Sequence, residues 1–491
     1  GTVDALAFIH GRTSSTVYTV ANAAGGSPTG TTAADLDWDV FRAYSTLGGA
    51  FALTENTAFA AGLVDFDTLA AQQDLVTNNT QWNLVVYGDA VGTVSEAALS
   101  GWTTSATNYY RMYAPSLVSE VGTSQRHKGF ITTGVAHLKN FLVDVNYIKI
   151  DGLIITMGTG TYYHNIRIGA NSTIPISSKI EISNNFMQGL TNGALTAGVS
   201  VISPAGQPQV YIWNNMFSQF VSVAQTGCGG TCYNDGIYIT NAGDYWVYNN
   251  TFSNLDIQTG YAIRALNSPT IMAKNNTASD GIDYYDSGSR SYYWITLATG
   301  SQYNTTNNNN SPGGSTNNIT NFTPKFVDGN SDLRIYPKDA VAMLGVDLSA
   351  DSDLPITHDI RGKLRTSWEI GAYDFIESTD NDIFLKGIKD DPSEAYGFKI
   401  IADYVGDANT NATATLYYCN ATSSPGCDPS IGSFMAMTRN GKTFEAAVSG
   451  LVPNEEFNVQ VTNADPDRIG PYSFDIVAIV SGGPALVTTS L

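Results

Sequence analysis

Ile180-Glu181-Ile182-Ser183-Asn184-Asn185-Phe186 decides the fold, because the chain goes on to repeat it. Asn-Asn pairs recur at Asn214-Asn215, Asn249-Asn250 and Asn275-Asn276, separated in turn by 30, 35 and 26 residues. Two and four residues before each pair stand mostly large apolar side chains: Ile180 and Ile182, Val210 and Ile212, Tyr245 and Val247, Ile271 and Ala273. An aromatic follows the first three pairs, as Phe186, Phe217 and Phe252. A unit of this length that recurs with variable insertions is the signature of a solenoid. The alternation of apolar residues within it has the period of a strand.

Asparagine suits a sharp corner between strands, because it tolerates left-handed backbone and hydrogen-bonds its own turn. If successive units stack, Asn184, Asn214, Asn249 and Asn275 stack with them and form a ladder along the axis. A second strand register lies between the pairs, at Gly198-Val199-Ser200-Val201, Gly236-Ile237-Tyr238-Ile239 and Gly260-Tyr261-Ala262-Ile263. Each turn of the chain therefore carries at least two short strands with a corner between them. The expectation is an all-β chain built on a parallel β-helix. The competing reading is an Asn-rich all-β sandwich in which the pairs are coincidental.

The bounds set by composition agree with a large secreted protein. At 491 residues, two or three domains are expected. There are 24 basic against 44 acidic residues, a net charge of −20, which argues against nucleic acid and anionic membrane surfaces as partners. Charge is scarce, so the surface must be built from Thr, Ser, Asn, Gly and Tyr, a composition common in secreted and cell-surface proteins. The four cysteines form two local pairs, Cys228 with Cys232 and Cys419 with Cys427, which suggests loop-clipping disulfides in an oxidising compartment. With no histidine nearby, neither pair completes a tetrahedral zinc set. The chain opens at Gly1 with no apolar leader, so a signal peptide is expected to have been removed. No apolar run reaches the roughly 18 residues that a membrane span needs. About ten Asn-x-Ser/Thr sequons occur, among them Asn171, Asn304, Asn411 and Asn420.

Taken in order, residues 1–30 read as two strands, Val3 to Ile9 and Thr16 to Val20. The first is expected to pair within its own chain or to join a neighbour's sheet edge. Residues 31–100 read as the cap that an open solenoid end requires, with short helices at Asp35–Tyr44 and Leu63–Asp74 and a strand at Gln81–Tyr87. Residues 101–375 form the β-helix. Within it, 301–323 reads as a polar low-complexity loop. Residues 376–382 read as a linker. From 383 to 491 seven short alternating runs, at Ile383–Ile388, Phe398–Tyr404, Thr413–Cys419, Phe434–Met437, Thr443–Val448, Phe457–Val461 and Tyr472–Ile479, suggest an immunoglobulin-like β-sandwich.

Two stretches carry a resemblance. Gly101-Trp102-Thr103-Thr104-Ser105-Ala106-Thr107-Asn108-Tyr109-Tyr110, Gly122-Thr123-Ser124-Gln125-Arg126-His127 and Tyr147-Ile148-Lys149-Ile150-Asp151-Gly152-Leu153 follow one another. Pro324-Lys325-Phe326-Val327-Asp328, Asp332-Leu333-Arg334-Ile335, Asp359-Ile360-Arg361-Gly362 with Arg365, and Glu369-Ile370-Gly371-Ala372-Tyr373 close the region. Their order resembles a family of bacterial and environmental secreted proteins with a right-handed parallel β-helix. That family hosts surface proteins, adhesins and carbohydrate-active enzymes alike, so the resemblance implies a fold more than a function. Gly450-Leu451-Val452-Pro453-Asn454 with Phe457-Asn458-Val459-Gln460-Val461 is similar to part of a fibronectin type III module.

Catalytic candidates are few. A glycosidase needs two carboxylates on either side of a sugar bond, and Asp235 with Asp256, or Asp283, are the candidates. The cluster Asp280, Asp283 and Asp286 suits calcium equally, since several carboxylates on one loop fit a hard cation; no other cofactor is indicated. Asn234-Asp235-Gly236 also reads as an ordinary turn. Asp151, Arg361 and Arg365 read as structural hydrogen bonders, as do the scattered His10, His127, His137, His164 and His358. No phosphate loop, dinucleotide fingerprint or nucleophile elbow is present.

These observations lead to the expectation of an extracellular or cell-surface structural protein that self-associates into an appendage, filament or surface layer. Two alternatives stand beside it: a polysaccharide lyase or glycoside hydrolase working in a β-helix groove, and a glycan-binding adhesin or phage tailspike.

Overall fold

A computed structural model describes residues 7–14, 16–22, 26–28, 40–56, 73–89, 97–117, 120–121, 124–157, 163–169, 178–190, 195–202, 208–221, 233–240, 242–255, 260–278, 296–305, 313–320, 322, 324, 326–335, 344–365, 368–374, 382–390, 397–405, 410–441, 443–452, 455–464 and 472–479. The chain divides into two compact units, Gly1–Asp374 and Phe375–Leu491. It is nearly all β, with long parallel sheets in the first unit.

Three parallel sheets form most of the first unit, beside two short antiparallel pairs, one of them Phe326–Asp328 with Asp332–Ile335. Sheet I has nine strands in chain order, from Trp82–Val85 through Tyr147–Asp151, Lys179–Ser183, Gln209–Trp213, Asp244–Tyr248 and Thr270–Lys274 to Gly313–Thr316. Sheet II has six, including Ile154–Thr156, Phe186–Gln188, Met216–Phe220 and Thr251–Leu255. Sheet III also has six, including Phe141–Asp144, Tyr163–Ile168, Leu195–Val201, Tyr233–Ile239 and Ile263–Ala265. From Phe141 to Ala278 the described strands visit sheets III, I and II in rotation.

The register shows why this sequence folds so. Ile148, Ile180, Val210, Tyr245 and Ile271 are partners across successive strands of sheet I, and so are Ile150, Ile182, Ile212, Val247 and Ala273. All are buried. The apolar residues read from the sequence thus form columns rather than one plane. On sheet II the rings of Phe217 and Phe252 stack at 4.7 Å, nearly parallel, within the distance that adjacent strands impose. Gly198 and Gly236 make room for them on sheet III. A Cβ on Gly236 would lie 2.4 Å from the Phe252 ring, and one on Gly198 would lie 2.3 Å from that of Phe217.

Several expectations need correcting. The N-terminal strands run Phe8–Arg12 and Tyr18–Ala21, each shifted toward the C-terminus, and they pair antiparallel with each other. Most of the two helices expected in 31–100 falls outside the described residues. The described helix there is Leu47–Ala52, capped by Thr46, whose side chain accepts from the Gly49 N–H. The low-complexity stretch 301–323 is not wholly loop: Gly313–Thr316 pairs in parallel with the preceding strand of sheet I. The reason is Asn317-Asn318, a further corner hidden in polar sequence, with Asn317 in left-handed backbone at φ 54°. Residues 376–381 of the expected linker lie outside the described residues.

The second unit has two four-stranded antiparallel sheets. One orders Asp382–Asp390, Gly397–Val405, Thr443–Ser449 and Thr438–Asn440. The other orders Ser433–Ala436, Thr413–Asn420, Glu456–Ala464 and Tyr472–Ile479. Phe398, Ile400, Leu416, Phe444, Val459 and Val461 form its core. The disulfide Cys419–Cys427 clips the loop after Thr413–Asn420. Cys228 and Cys232 lie outside the described residues.

Candidate functional site

The corners between sheets I and II concentrate the polar chemistry of the first unit. Each Asn-Asn pair splits its labour. The first residue takes the left-handed backbone, at φ 56°, 53°, 53° and 55° for Asn184, Asn214, Asn249 and Asn275. The second turns inward, and its amide bonds the next corner. Asn185 Nδ2 donates to Asn215 Oδ1 at 3.0 Å, Asn215 to Asn250 at 3.1 Å, Asn250 to Asn276 at 3.1 Å and Asn276 to Asn304 at 2.9 Å. Each Oδ1 also accepts the backbone N–H of the preceding ladder residue, as Asn250 Oδ1 does from Asn215 at 2.9 Å. The Leu153 N–H starts the run on Asn185, and Asn318 ends it by accepting from the Asn304 N–H.

This corrects the ladder expected through Asn184, Asn214, Asn249 and Asn275. Among those four, Asn214 Nδ2 donates laterally to Asn184 Oδ1 at 3.2 Å. The amide of Asn249 is buried with no hydrogen-bond partner among the described residues. Sequence could not rank the two asparagines, because either is competent at a corner; the strand exit direction alone turns the second one inward. Two ladder members without the expected pattern were missed. Asn304 follows Tyr303, which takes the left-handed position at φ 55°, and Asn318 sits in the low-complexity stretch.

The outer side of the corners is closed by residues 344–365 and 368–374. Val346 N–H donates to Asn275 Oδ1, and Asn275 Nδ2 donates back to the Val346 carbonyl. Asn214 Nδ2 donates to the His358 carbonyl at 2.7 Å. Leu348, Leu354 and Ile356 cover Tyr211 and Tyr248 on the outer face of sheet I. Arg365 is buried and donates to the carbonyls of Gly371 and Ala372, both at 2.9 Å. Arg361 binds Asp359, the Tyr373 hydroxyl and the Asp374 carbonyl. Asp151 takes Arg126, the Ser183 hydroxyl and Asn184 Nδ2. Arg361 and Arg365 hold backbone carbonyls in place, and Asp151 ties three side chains together.

Asp235 is the one catalytic candidate that the described residues include. Its carboxylate is fully buried on the outer face of sheet III. Arg264 grips it from the next strand, Nε to Oδ2 at 2.7 Å and a second nitrogen to Oδ1 at 3.2 Å, and the Tyr261 N–H reaches Oδ1 at 2.9 Å. Arg264 in turn lies over the Tyr261 ring, 4.3 Å from its centre. A bidentate clamp of this kind fixes both carboxylate oxygens and suits structure rather than proton transfer. Asp256, Asp280, Asp283 and Asp286 lie outside the described residues. Among the described residues no group of three or more His, Cys, Asp or Glu side chains is placed to hold a metal ion. The partner that sequence missed is Arg264, the one charge in Tyr261-Ala262-Ile263-Arg264-Ala265.

The buried histidines His127 and His164 serve the packing. His127 is buried; Nε2 donates to the Asn184 carbonyl at 3.0 Å, while Nδ1 accepts the Gly129 N–H. Burial, then Arg126, push its pKa down to about 3, and burial with Arg167 does the same for His164. Both imidazoles therefore stay neutral in the folded chain while the unfolded chain takes up protons near the ordinary value. Their contribution is complete above about pH 6.5 and is lost as pH falls toward 3, at about 1.4 kcal/mol per pH unit for each. Denaturant titrations at pH 7, 6 and 5 should show this decline, and His127→Asn should make it shallower by the share that His127 contributes.

The apolar surface left open is at the N-terminal hairpin. Ile9, Val17, Tyr18 and Val20 are 48, 52, 45 and 47% exposed, and among the described residues the two strands pair only with each other. A second patch lies on the second unit, where Phe434 is 72% and Ile431 85% exposed beside the edge strand Ser433–Ala436. No described helix is long and apolar enough to cross a membrane. Comparisons with protein-family models, characterised proteins and solved structures return no match.

Proposed function

We propose that the chain is an extracellular structural subunit, a right-handed parallel β-helix followed by an immunoglobulin-like sandwich, that self-associates through its N-terminal hairpin. The rotation of the chain through three parallel sheets and the amide ladder support the β-helix. The two antiparallel sheets of the second unit support the sandwich. Both features fit the secreted family that the sequence resembles.

The observation that carries the functional reading is the open face of the hairpin Phe8–Arg12/Tyr18–Ala21. A lone two-stranded ribbon is marginal in water, and one that exposes four large apolar side chains gains from being covered. A second copy offers a suitable cover. Ser433–Ala436 is an edge strand without a charged residue, and it lacks the protection by charge or proline that exposed edges normally carry. Strand addition there would bury Phe434 against the hairpin. The contact joins two different surfaces, so it propagates into a filament unless its rotation closes a ring.

Deletion of residues 1–12 removes one strand of the hairpin and should abolish assembly seen by electron microscopy. Polymers that persist unchanged after the deletion would refute this mode of association.

A further inference from the structure

The corners of the first unit bury three glycosylation sequons completely, where no sugar fits. Asn249-Asn250-Thr251, Asn275-Asn276-Thr277 and Asn304-Thr305-Thr306 all satisfy Asn-x-Thr. Each acceptor asparagine is fully buried in the folded chain. Asn275 exchanges two hydrogen bonds with Val346, and Asn304 Nδ2 donates to the Ala273 carbonyl at 2.9 Å. An oligosaccharide on any of these nitrogens would stand inside the closed corner, against the segment 344–374 or in the ladder itself. Other sequons are harmless by the same measure: Asn78 and Asn411 are exposed.

Burial in the native state gives no protection against en bloc transfer of oligosaccharide. That reaction acts on the chain before it folds, and an attached glycan is bulky and strongly hydrated. Three fully buried sequons at successive corners would then expose each new molecule to misfolding. The Cys419–Cys427 disulfide meanwhile points to an oxidising compartment. We infer that this chain matures along a route that is oxidising but lacks en bloc transfer of oligosaccharide to Asn-x-Thr. The inference is independent of the assembly reading.

The test is to send the full chain through a eukaryotic secretory pathway, with and without tunicamycin, beside a variant that lacks the three interior sequons. Asn249→Gly, Thr277→Val and Thr306→Val remove them while leaving every inward ladder amide in place. The wild-type chain should carry sugar at Asn249, Asn275 or Asn304 and be retained. The variant should be secreted roughly tenfold better, with sugar at Asn78 and Asn411. Tunicamycin should restore folded wild-type chain, a readout that needs no substitution. Wild-type chain secreted in folded form at the variant's yield, with the interior sites either occupied or skipped, would overturn the inference. So would failure of tunicamycin to restore folded wild-type chain.

Discussion

Asn250→Ala should destabilise the first unit by about 3–5 kcal/mol, the range expected when several buried hydrogen-bonding groups lose partners at once. The side chain donates to the Ile212 carbonyl at 2.9 Å and to Asn276 Oδ1 at 3.1 Å, and it accepts from both the backbone and side-chain nitrogens of Asn215. Alanine removes all of these and leaves the Asn215 N–H buried without its acceptor. Water cannot replace the loss, because Asn215 and Asn250 are both fully buried. The neighbouring position is the control. Asn249 contributes its left-handed backbone and no side-chain hydrogen bond among the described residues, and glycine adopts that conformation freely, so Asn249→Gly should stay within about 1 kcal/mol of wild type. All seven tryptophans precede residue 375, so tryptophan fluorescence during denaturation reports the first unit alone. Equal costs at the two positions would show that the inward amides do not carry the stack.

Asp235→Asn should also be severe, by about 3–5 kcal/mol, because it strands the Arg264 guanidinium without its counter-charge. The double change Asp235→Leu with Arg264→Met should recover most of that loss, since an apolar pair of similar volume avoids the desolvation of two charges. This pattern separates a structural carboxylate from a catalytic one. A catalytic Asp235 would tolerate Asn with the fold intact and lose turnover. The matching assay incubates the wild-type chain with acidic and neutral glycans and looks for new reducing ends or unsaturated products. The clamp predicts none that depends on Asp235.

The strand columns were legible in the sequence because Ile180, Ile182, Val210 and Ile212 alternate without interruption before their corners. The corners were legible because few residues other than asparagine and glycine accept left-handed backbone. Which asparagine bonds along the stack was not legible: Asn249 and Asn250 are chemically identical, and only the path of the chain distinguishes them. Tyr303-Asn304 escaped notice because an aromatic occupies the left-handed position. Asn318 was masked by polar neighbours. The covering role of residues 344–374 has no periodicity to reveal it, since it works through single contacts such as Val346 with Asn275. Asp235 was visible as a lone acid in an apolar register. Its partner Arg264 lies one strand further along sheet III, so their contact depends on a register that sequence alone did not supply.

Electron microscopy of the purified full-length chain over a rising concentration series tests the assembly reading most directly. The account predicts regular end-to-end polymers that are lost when residues 1–12 are removed. Dispersed single molecules at every concentration, with the hairpin intact, would contradict it.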